Sequence, residues 1–294
     1  MNQLFLESIR AQREYIHLLE NFDQASRRQK PLPMLATGLG ENALCVFLPA
    51  LTEDLRDRAQ RSVLLVLPDE KEIRKLSGVF AQYGICCAHY PQRDFMFYHM
   101  TASREFEHER LGVLHGLVSG ELDAVLTTPQ ALLQYTMPPE VLRSNTLTLR
   151  FGEEYAPQQL CRFLSDAGYR RVELVDGKCQ YSVRGGILDL FPPAMENPVR
   201  IEFFGDEIDQ MGIFDPMTQR KIEQIDRCEI TPAREILLSA QSKEKLCRTV
   251  TAQLKKAAGE KARESLAEEL EMLRGDGDCT FLDKYISVIY EKPV

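Results

Sequence analysis

Residues 181–220 read YSVRGGILDLFPPAMENPVRIEFFGDEIDQMGIFDPMTQR, and this stretch decides the fold of the second half of the chain. Apolar and polar residues alternate along it, which is the pattern of strands that bury one face and expose the other. The apolar positions are Tyr181, Val183, Ile201 and Phe203. The polar positions between them are Ser182, Arg184, Arg200 and Glu202. The stretch therefore predicts a small antiparallel sheet with one apolar and one charged face.

Glycines mark the turns of this predicted sheet. Gly185-Gly186 predicts a bulge, because a backbone without Cβ atoms can turn there at little cost. Phe204-Gly205-Asp206 predicts a tight hairpin into a strand over residues 207–214. A polar sheet face that carries several arginines is a candidate docking surface.

Several segments of the same stretch together resemble a known family. They are RGGILDLFP at 184–192, RIEFFGDEID at 200–209, FD at 214–215 and TQR at 218–220. This ordered run resembles the N-terminal module of the bacterial transcription-repair coupling factors, a module that is itself similar to the nucleotide excision repair protein UvrB. Weaker similarity extends over the rest of the chain, and its details favour the coupling factors over UvrB.

Composition limits the class of protein. A chain of 294 residues, 44% of them hydrophobic, can bury a sizeable core in about two domains. The net charge of -8 excludes an overall basic field of the kind that drives non-specific binding to phosphate backbones, though not a local basic patch. The eight cysteines are scattered without a C-x-x-C pair, which argues against a zinc ribbon or a disulfide framework.

The same reasoning predicts where the protein resides. No apolar run approaches the length of about 20 residues that spans a bilayer, and residues 1–13 are amphipathic with mixed charge. We therefore expect a cytoplasmic protein with reduced thiols that contacts no membrane and carries no metal or cofactor.

Strand and helix patterns alternate over the first part of the chain, which predicts a parallel sheet with covering helices. The predicted helices are 4–22, 71–83 and 104–118, and the predicted strands are 34–37, 62–67, 86–90 and 124–128. From about residue 137 the pattern becomes α+β, with a strand at 147–151, a helix at 157–167 that stops at Gly168, and the antiparallel run. Two charged helices follow at 242–258 and 260–274, and 281–294 predicts a further strand or helix.

The resemblance turns this pattern into a fold prediction. The fold class is α/β, with a degenerate RecA-like parallel-sheet domain, an inserted α+β domain that contains the antiparallel sheet, and a helical segment that rejoins the first domain. The predicted boundaries are 1–138 for the RecA-like domain 1A, 139–222 for domain 2 and 223–294 for the helical domain 1B. Chains of the family continue far beyond this length, so we expect an isolated N-terminal piece with domain 1B cut short.

A glycine loop, MLATGLGEN at 34–42, lies where a phosphate-binding P-loop would lie. Only Gly40 matches that motif, since Leu35 replaces the first glycine, Glu41 the lysine and Asn42 the magnesium-binding hydroxyl. At about 4 Å and an effective dielectric near 20, a charge pair is worth roughly 4 kcal/mol, so the glutamate repels a phosphate by a similar amount. UvrB keeps an intact ATP site here and the coupling factors a degenerate one. The degenerate nucleotide loop is Gly38, Gly40, Glu41 and Asn42, and we expect ATP binding to be lost or very weak.

Three other patterns predict weaker alternatives. Residues 62–70 resemble a Walker B strand followed by acidic residues, but Pro68 interrupts the motif. The simpler interpretation is the acidic start of a helix, where the helix dipole stabilises negative charge. Phe95, Phe97 and Tyr98 could stack on bases, but packing onto the domain is favoured because the segment is too short for the DNA-clamping hairpin of UvrB. His108 and His115 lie seven residues apart, so a solvated helix face with a Glu107–Arg110 pair is favoured over a metal site.

In UvrB and the coupling factors, domain 2 recruits the damage-recognition ATPase UvrA. The resemblance carries the UvrA-contacting positions to Arg171, Arg184, Arg200 and Glu202, with Arg170 as a neighbour that a one-residue shift of the alignment would select. Ser182 stands where UvrB has a further arginine. The competing interpretation is that these arginines solvate an open sheet face or pair with Glu173, Asp189 and Glu202.

The resemblance thus implies a non-catalytic adaptor that recruits UvrA to RNA polymerase stalled at a DNA lesion. The rest of the full-length family binds RNA polymerase and DNA as an ATP-dependent translocase, and its C-terminal domain masks the UvrA-binding face. That face should be exposed in this chain. Two alternatives stay open: a nucleotide-hydrolysing helicase-like domain with a non-standard P-loop, and a module that binds damaged DNA directly, as in UvrB.

Overall fold

The computed structural model describes residues 2–27, 33–93, 105–275, 279 and 281–294. The chain divides into two compact units. Unit 1 comprises residues 1–94 and 116–133, and unit 2 comprises residues 95–115 and 134–294. The three-domain division predicted from the sequence, with boundaries at 138/139 and 222/223, stays a prediction.

Unit 1 contains a parallel sheet with helices. Its first elements are α1 (Asn2–Arg10), α2 (Arg13–Arg27), α3 (Glu41–Ala59), β1 (Val63–Val66), α4 (Glu70–Tyr83) and β2 (Cys87–Tyr90). Helix α5 (Glu105–Ser119) begins in unit 2 and ends in unit 1, followed by β3 (Ala124–Thr127) and α6 (Pro129–Leu132). The strands run parallel in the order β1-β3-β2. Strand β3 is fully buried, and its Ala124 and Leu126 pack with Ile73 and Phe80 of α4.

Two sequence predictions in unit 1 need correction. The strand predicted at 34–37 does not form, since residues 33–40 have no regular secondary structure. Pro33 lacks an N–H donor and Gly38 adopts a φ of +81°, which both disfavour a strand at this position. The predicted first helix is two helices, α1 and α2, which pack through Leu6, Tyr15 and Leu19 against Ala50 of α3.

Unit 2 is built around an antiparallel sheet. Its next elements are α7 (Pro139–Ser144), β4 (Leu147–Arg150), α8 (Pro157–Asp166), β5 (Arg170–Arg171), β6 (Gln180–Arg184), β7 (Ile187–Leu190), β8 (Val199–Phe204), β9 (Glu207–Phe214), β10 (Lys221–Gln224) and β11 (Arg227–Ile230). The main sheet has the order β10-β9-β8-β7-β6-β5, and β11 pairs with β4 separately. Only the β5–β6 pair of the main sheet is parallel.

The apolar face of this sheet forms the core of unit 2. Leu188, Ile201 and Met211 lie on neighbouring strands and pack with Leu160 and Leu164 of α8. Alternation along each strand therefore sends the polar residues to the other face. The predicted α/β arrangement, with a small parallel sheet, an antiparallel sheet and helices, is confirmed.

The glycine pair at 185–186 forms a hairpin turn, not the predicted bulge. Arg184 pairs with Ile187, so the two glycines are the whole loop between β6 and β7. Gly185 has a φ of +60°, and a Cβ on Gly186 would lie 2.9 Å from the carbonyl oxygen of Phe203. The register shifts instead between β8 and β9, where Glu202 pairs with Gln210 and Phe203 with Ile208, so Asp209 of β9 is the extra residue.

Helices complete unit 2. They are α9 (Ala240–Lys256), α10 (Glu260–Arg274), a 3-10 helix (Leu282–Tyr285) and α11 (Ile286–Ile289). Lys284 Nζ and Tyr285 Oη donate hydrogen bonds to the buried carboxylate of Glu269 on α10, which ties the C-terminal helices to the pair α9–α10. None of the described helices is both long enough and apolar enough to cross a membrane.

Candidate functional site

Cross-strand register places three of the predicted contact residues, Arg184, Arg200 and Glu202, in two neighbouring rows on the polar face of the antiparallel sheet. The inner row joins Ser182, Asp189, Arg200 and Gly212. The outer row joins Arg184, Ile187, Glu202 and Gln210. Because neighbouring strands lie about 4.8 Å apart, side chains within a row can touch. We call Arg184, Ile187, Asp189, Arg200 and Glu202 the arginine face.

Asp189 lies at the centre of the arginine face. Its side chain is 1% exposed, and both carboxylate oxygens are bound. Arg200 donates a forked pair of bonds, Nε to Oδ1 at 2.7 Å and Nη2 to Oδ2 at 2.9 Å, and Arg184 Nη2 donates to Oδ2 at 3.2 Å. Hydrogen bonding to Asp189 raises the pKa of Arg200 above its ordinary value. The ion pairing that was the competing interpretation is therefore present.

Arg200 is held from two further sides. Its guanidinium carbon lies 4.6 Å from the centroid of the Phe214 ring, and its Nη2 donates to Gln219 Oε1 at 3.2 Å. Gln219 closes a turn in which Asp215 Oδ1 accepts bonds from the backbone and hydroxyl of Thr218, and these bonds lower the pKa of Asp215. The position of Arg200 is therefore fixed by a carboxylate, an aromatic ring and an amide.

Both arginines nevertheless reach solvent. The Arg184 side chain is 56% exposed and that of Arg200 is 28% exposed. Ile187 is 37% exposed between Arg184 and Glu202, so the outer row presents a cation, an apolar side chain and an anion side by side. Such a mixed surface suits a protein partner with a carboxylate beside an apolar group.

Ser182 contributes no exposed side chain to the arginine face. It is 2% exposed, and its hydroxyl donates to the carbonyl oxygen of Glu173 at 2.9 Å. The segment over this end of the sheet also buries Val175 against Phe191 and Phe214. Ser182, at the position where the resemblance predicts an arginine in UvrB, is therefore covered by the protein's own chain.

The two predicted arginines on β5 point to opposite sides of the sheet. Arg170 pairs with Gln180 and so shares the polar face, whereas Arg171 pairs with Tyr181, which belongs to the core face. Arg171 also lies close enough to Cys161 of α8 to act on its thiol electrostatically. Arg170 pairs with Gln180 at the start of β6, and Arg184 lies four residues further along that strand, about 13 Å away. Arg170 therefore lies at the margin of the arginine face.

The degenerate nucleotide loop is an exposed turn before α3. Gly40 precedes the helix and makes no side-chain cap, and Gly38 and Asn42 are exposed. Glu41, 83% exposed in the first turn of α3, accepts a bond from Lys75 Nζ at 3.1 Å, and this bond raises the pKa of Lys75. A carboxylate thus occupies the helix end that binds phosphate in a P-loop.

The remaining predicted features have structural explanations where the structure describes them. Asp69, in the Walker B-like segment, caps α4 by accepting bonds from the backbone of Lys71 and Glu72. His115 Nε2 lies 3.2 Å from Glu229 Oε2. The aromatic loop residues Phe95, Phe97 and Tyr98 lie outside the described residues.

Arg110 is not on a solvated helix face as predicted. It is completely buried, and its Nε and Nη2 each donate to Glu235 at 2.9 Å. Thr136 Oγ1 donates to the same carboxylate, and Glu107 accepts a bond from the backbone N–H of Glu235. This buried network has a structural role in unit 2. The candidate site is therefore the arginine face.

Comparison with known proteins places the arginine face within a named domain. The family described as the UvrB interaction domain matches residues 147–236, which include every strand of the antiparallel sheet. The chain is 30% identical over 272 residues to the transcription-repair-coupling factor of Bacillus subtilis (strain 168), covering 88% of this chain and 23% of that protein.

The resemblance to the transcription-repair coupling factors is confirmed. The coupling factor of Myxococcus xanthus is 36% identical over 136 residues, covering 46% of this chain and 11% of that protein. That of Escherichia coli (strain K12) is 28% identical over 201 residues, covering 67% of this chain and 17% of that protein. The chain therefore spans less than a quarter of the length of these coupling factors.

Sequence reasoning missed Ile187 and Gln219 and gave Asp189 only as an ion-pair partner in the competing interpretation. Ile187 and Asp189 share the face of Arg184 and Arg200, and the two-residue period of β7 would have shown this. Nothing in the local sequence marks Gln219, whose contact with Arg200 depends on the turn after β9.

Proposed function

We propose that this chain is a non-catalytic adaptor module that binds UvrA through the arginine face. The observation that carries the proposal is the pair of exposed Arg184 and partly exposed Arg200, both anchored on Asp189, inside the segment that matches the UvrB interaction domain. Arginine forms forked, charge-assisted bonds to carboxylates and is enriched among residues that dominate binding energy. Glu202 and Ile187 would supply the anionic and apolar contacts beside it.

The proposed partner follows from the relatives. Those proteins are named as transcription-repair coupling factors. The family resemblance further implies that the whole protein would act in the cytoplasm as an ATP-dependent translocase that contacts DNA and stalled RNA polymerase. The adaptor module would then bring UvrA to the stalled polymerase. A C-terminal domain would mask the arginine face until it is needed.

Binding to UvrA tests the adaptor function directly. The change is Arg184→Ala with Arg200→Ala, and the expected result is a dissociation constant raised about tenfold or more, equal to ~1.4 kcal/mol. The matched control is Arg162→Ala on α8, an exposed arginine of the helix that covers the opposite face of the sheet. Unchanged affinity in the double variant, with circular dichroism like that of the wild type, would rule out this face.

Absence of nucleotide chemistry in this segment is part of the same proposal. Glu41 places a negative charge where a phosphate would bind, so Mg-ATP should show no saturable binding by calorimetry. Micromolar ATP binding would favour the helicase-like alternative. Micromolar affinity for a damaged duplex at physiological salt would favour direct DNA binding.

A further inference from the structure

The arginine face contains a negative charge at the point where an acidic partner would approach. Asp189 is almost fully buried directly between the two arginines that reach solvent. Burying a carboxylate is costly unless it is paired and fully hydrogen-bonded. Here both oxygens are satisfied by the two guanidinium groups, so the energetic cost of the buried charge is offset only while those groups stay in place.

The bonds to Asp189 leave donors on both arginines for a partner. Arg200 uses Nε and Nη2 on Asp189 and Gln219, and its Nη1 makes no hydrogen bond within the described residues. Arg184 uses only Nη2, so Nε and Nη1 are left over among the described contacts. Arg184 keeps Nε–H, both Nη1 hydrogens and the second Nη2 hydrogen, so it can make a forked bond to a partner through Nη2 together with Nε or Nη1, whereas Arg200 offers only its Nη1 group.

Fixing these side chains beforehand should favour binding. Ordering a flexible side chain at an interface costs about 0.5–1.5 kcal/mol, and a protein that has already ordered it avoids that cost on association. Arg200 is fixed by Asp189, Phe214 and Gln219 in the unbound chain. Arg184 has Asp189 as its one bonded anchor among the described residues.

We propose that Asp189 is a positioning residue of the arginine face, which holds Arg184 and Arg200 in the geometry that binds a carboxylate-bearing protein partner. The inference rests on the proposed function, because that partner is taken to be UvrA. Asp189 itself touches no partner. It acts through the two arginines.

The sign of one measurement separates this role from simple electrostatics. Asp189→Asn removes a negative charge beneath a cationic face, so charge alone would strengthen attraction to an acidic partner. Loss of positioning weakens binding instead, because the amide offers one acceptor in place of two and its NH₂ group opposes the arginine donors. The two explanations therefore predict opposite changes in affinity.

The first experiment measures UvrA binding by Asp189→Asn. We expect a dissociation constant raised about fivefold to tenfold, while the control Asp166→Asn, an exposed residue at the end of α8 with the same change in charge, leaves it unchanged. Equal or tighter binding by the folded Asp189→Asn variant would overturn the proposal. Near-ultraviolet circular dichroism and thermal unfolding check that the variant is folded.

A double-mutant cycle tests whether Asp189 acts through the arginines. In the Arg184→Ala, Arg200→Ala background, Asp189→Asn should change the affinity by less than about twofold, because the groups it positions are gone. A full fivefold loss in that background would show a general structural effect and overturn the proposal. If Asp189→Asn does not fold, Gln219→Asn replaces it, since this shorter amide tolerates the left-handed backbone but cannot reach Arg200. About twofold to threefold weaker binding is then expected, and unchanged affinity together with a lowered Arg200 Nε–Hε order parameter would overturn the proposal, because the mobility of Arg200 would then not affect binding.

Arginine dynamics give a readout that needs no partner. The Nε–Hε order parameter of Arg200, from ¹⁵N relaxation of the free chain, should be high in the wild type and fall in Asp189→Asn. A value equally high in both would overturn the positioning role even if UvrA binds elsewhere. Loss of binding in the arginine variants with unchanged Asp189→Asn affinity would instead leave the adaptor function standing and remove only the positioning role.

Discussion

The guanidinium carbon of Arg200 lies 4.6 Å above the centre of the Phe214 ring, so the inner row of the sheet stacks a cation on an aromatic face. Phe214 is itself buried with Val175 and Phe191 under the segment that follows β5. The Phe214 ring therefore contacts both Arg200 and the segment that covers this end of the sheet. Removing the ring should therefore lower the free energy of unfolding.

Phe214→Leu should lower the free energy of unfolding by about 1–2 kcal/mol, from a lost cation–π contact of roughly 0.5–1 kcal/mol and poorer packing. Urea denaturation measures the change. Phe204→Leu is the control, because Phe204 is 81% exposed and should change stability by less than about 0.5 kcal/mol. Equal stability of the two variants would contradict the stacking.

Glu235→Gln should destabilise unit 2 strongly. The substitution keeps the shape of the side chain but removes the carboxylate charge that accepts the forked bonds of the fully buried Arg110, and breaking comparable buried pairs costs about 3–5 kcal/mol. Chemical denaturation followed by the tyrosine signal reports the loss. Glu268→Gln on the exposed side of α10 is the matched control, and a similar effect of both variants would argue against a buried pair.

Glycine-to-alanine changes should have opposite signs at two positions. Gly186→Ala places a Cβ 2.9 Å from the Phe203 carbonyl oxygen and should destabilise the β6–β7 hairpin by about 1–3 kcal/mol. Gly78→Ala, on the exposed side of α4 with nothing within 4 Å, should stabilise that helix by up to about 1 kcal/mol. Thermal unfolding of the two variants compares them, and a stabilising Gly186→Ala would show that the hairpin has another geometry.

The buried Cys228 thiol should make the free energy of unfolding fall as the pH becomes alkaline. Burial raises its pKa to about 12, whereas the thiol of an unfolded chain ionises near 8.5. The folded pKa is the higher one, so the contribution of the neutral thiol is complete below about pH 8.5 and is lost as pH rises toward 12, by up to roughly 1.4 kcal/mol per pH unit. Wild type minus Cys228→Ala, measured by urea denaturation from pH 7.5 to 9.5, should show this slope, and parallel curves would refute it.

Local pattern was enough to predict the elements around the site. Alternation at 181–204 predicted the strands, and the spacing at 157–167 predicted the helix that covers their apolar face. These predictions succeed because one face of each element is buried, which imposes its period on the sequence. The predicted strand at 34–37 failed because an apolar run becomes a strand only when another strand pairs with it.

Contacts between residues far apart in the chain could not be predicted from the sequence. The sequence predicts a pair of Arg110 with Glu107 one turn away, yet the forked partner of Arg110, Glu235, lies 125 residues further along the chain. The contact of Arg200 with Gln219 likewise depends on a turn whose backbone takes a φ of 60° at Gln219. Sequence period fixes which face a side chain takes, but it does not say which residue of another element meets it there.

The path of α5 through both units matters to anyone who wishes to shorten this protein. The longer part of unit 2 starts at residue 134. A fragment that begins there would lack α5 and with it Arg110. The buried carboxylate of Glu235 would then lose the forked bonds from Arg110, and expression of such a fragment should yield aggregates. A fragment intended to display the arginine face must therefore begin before α5.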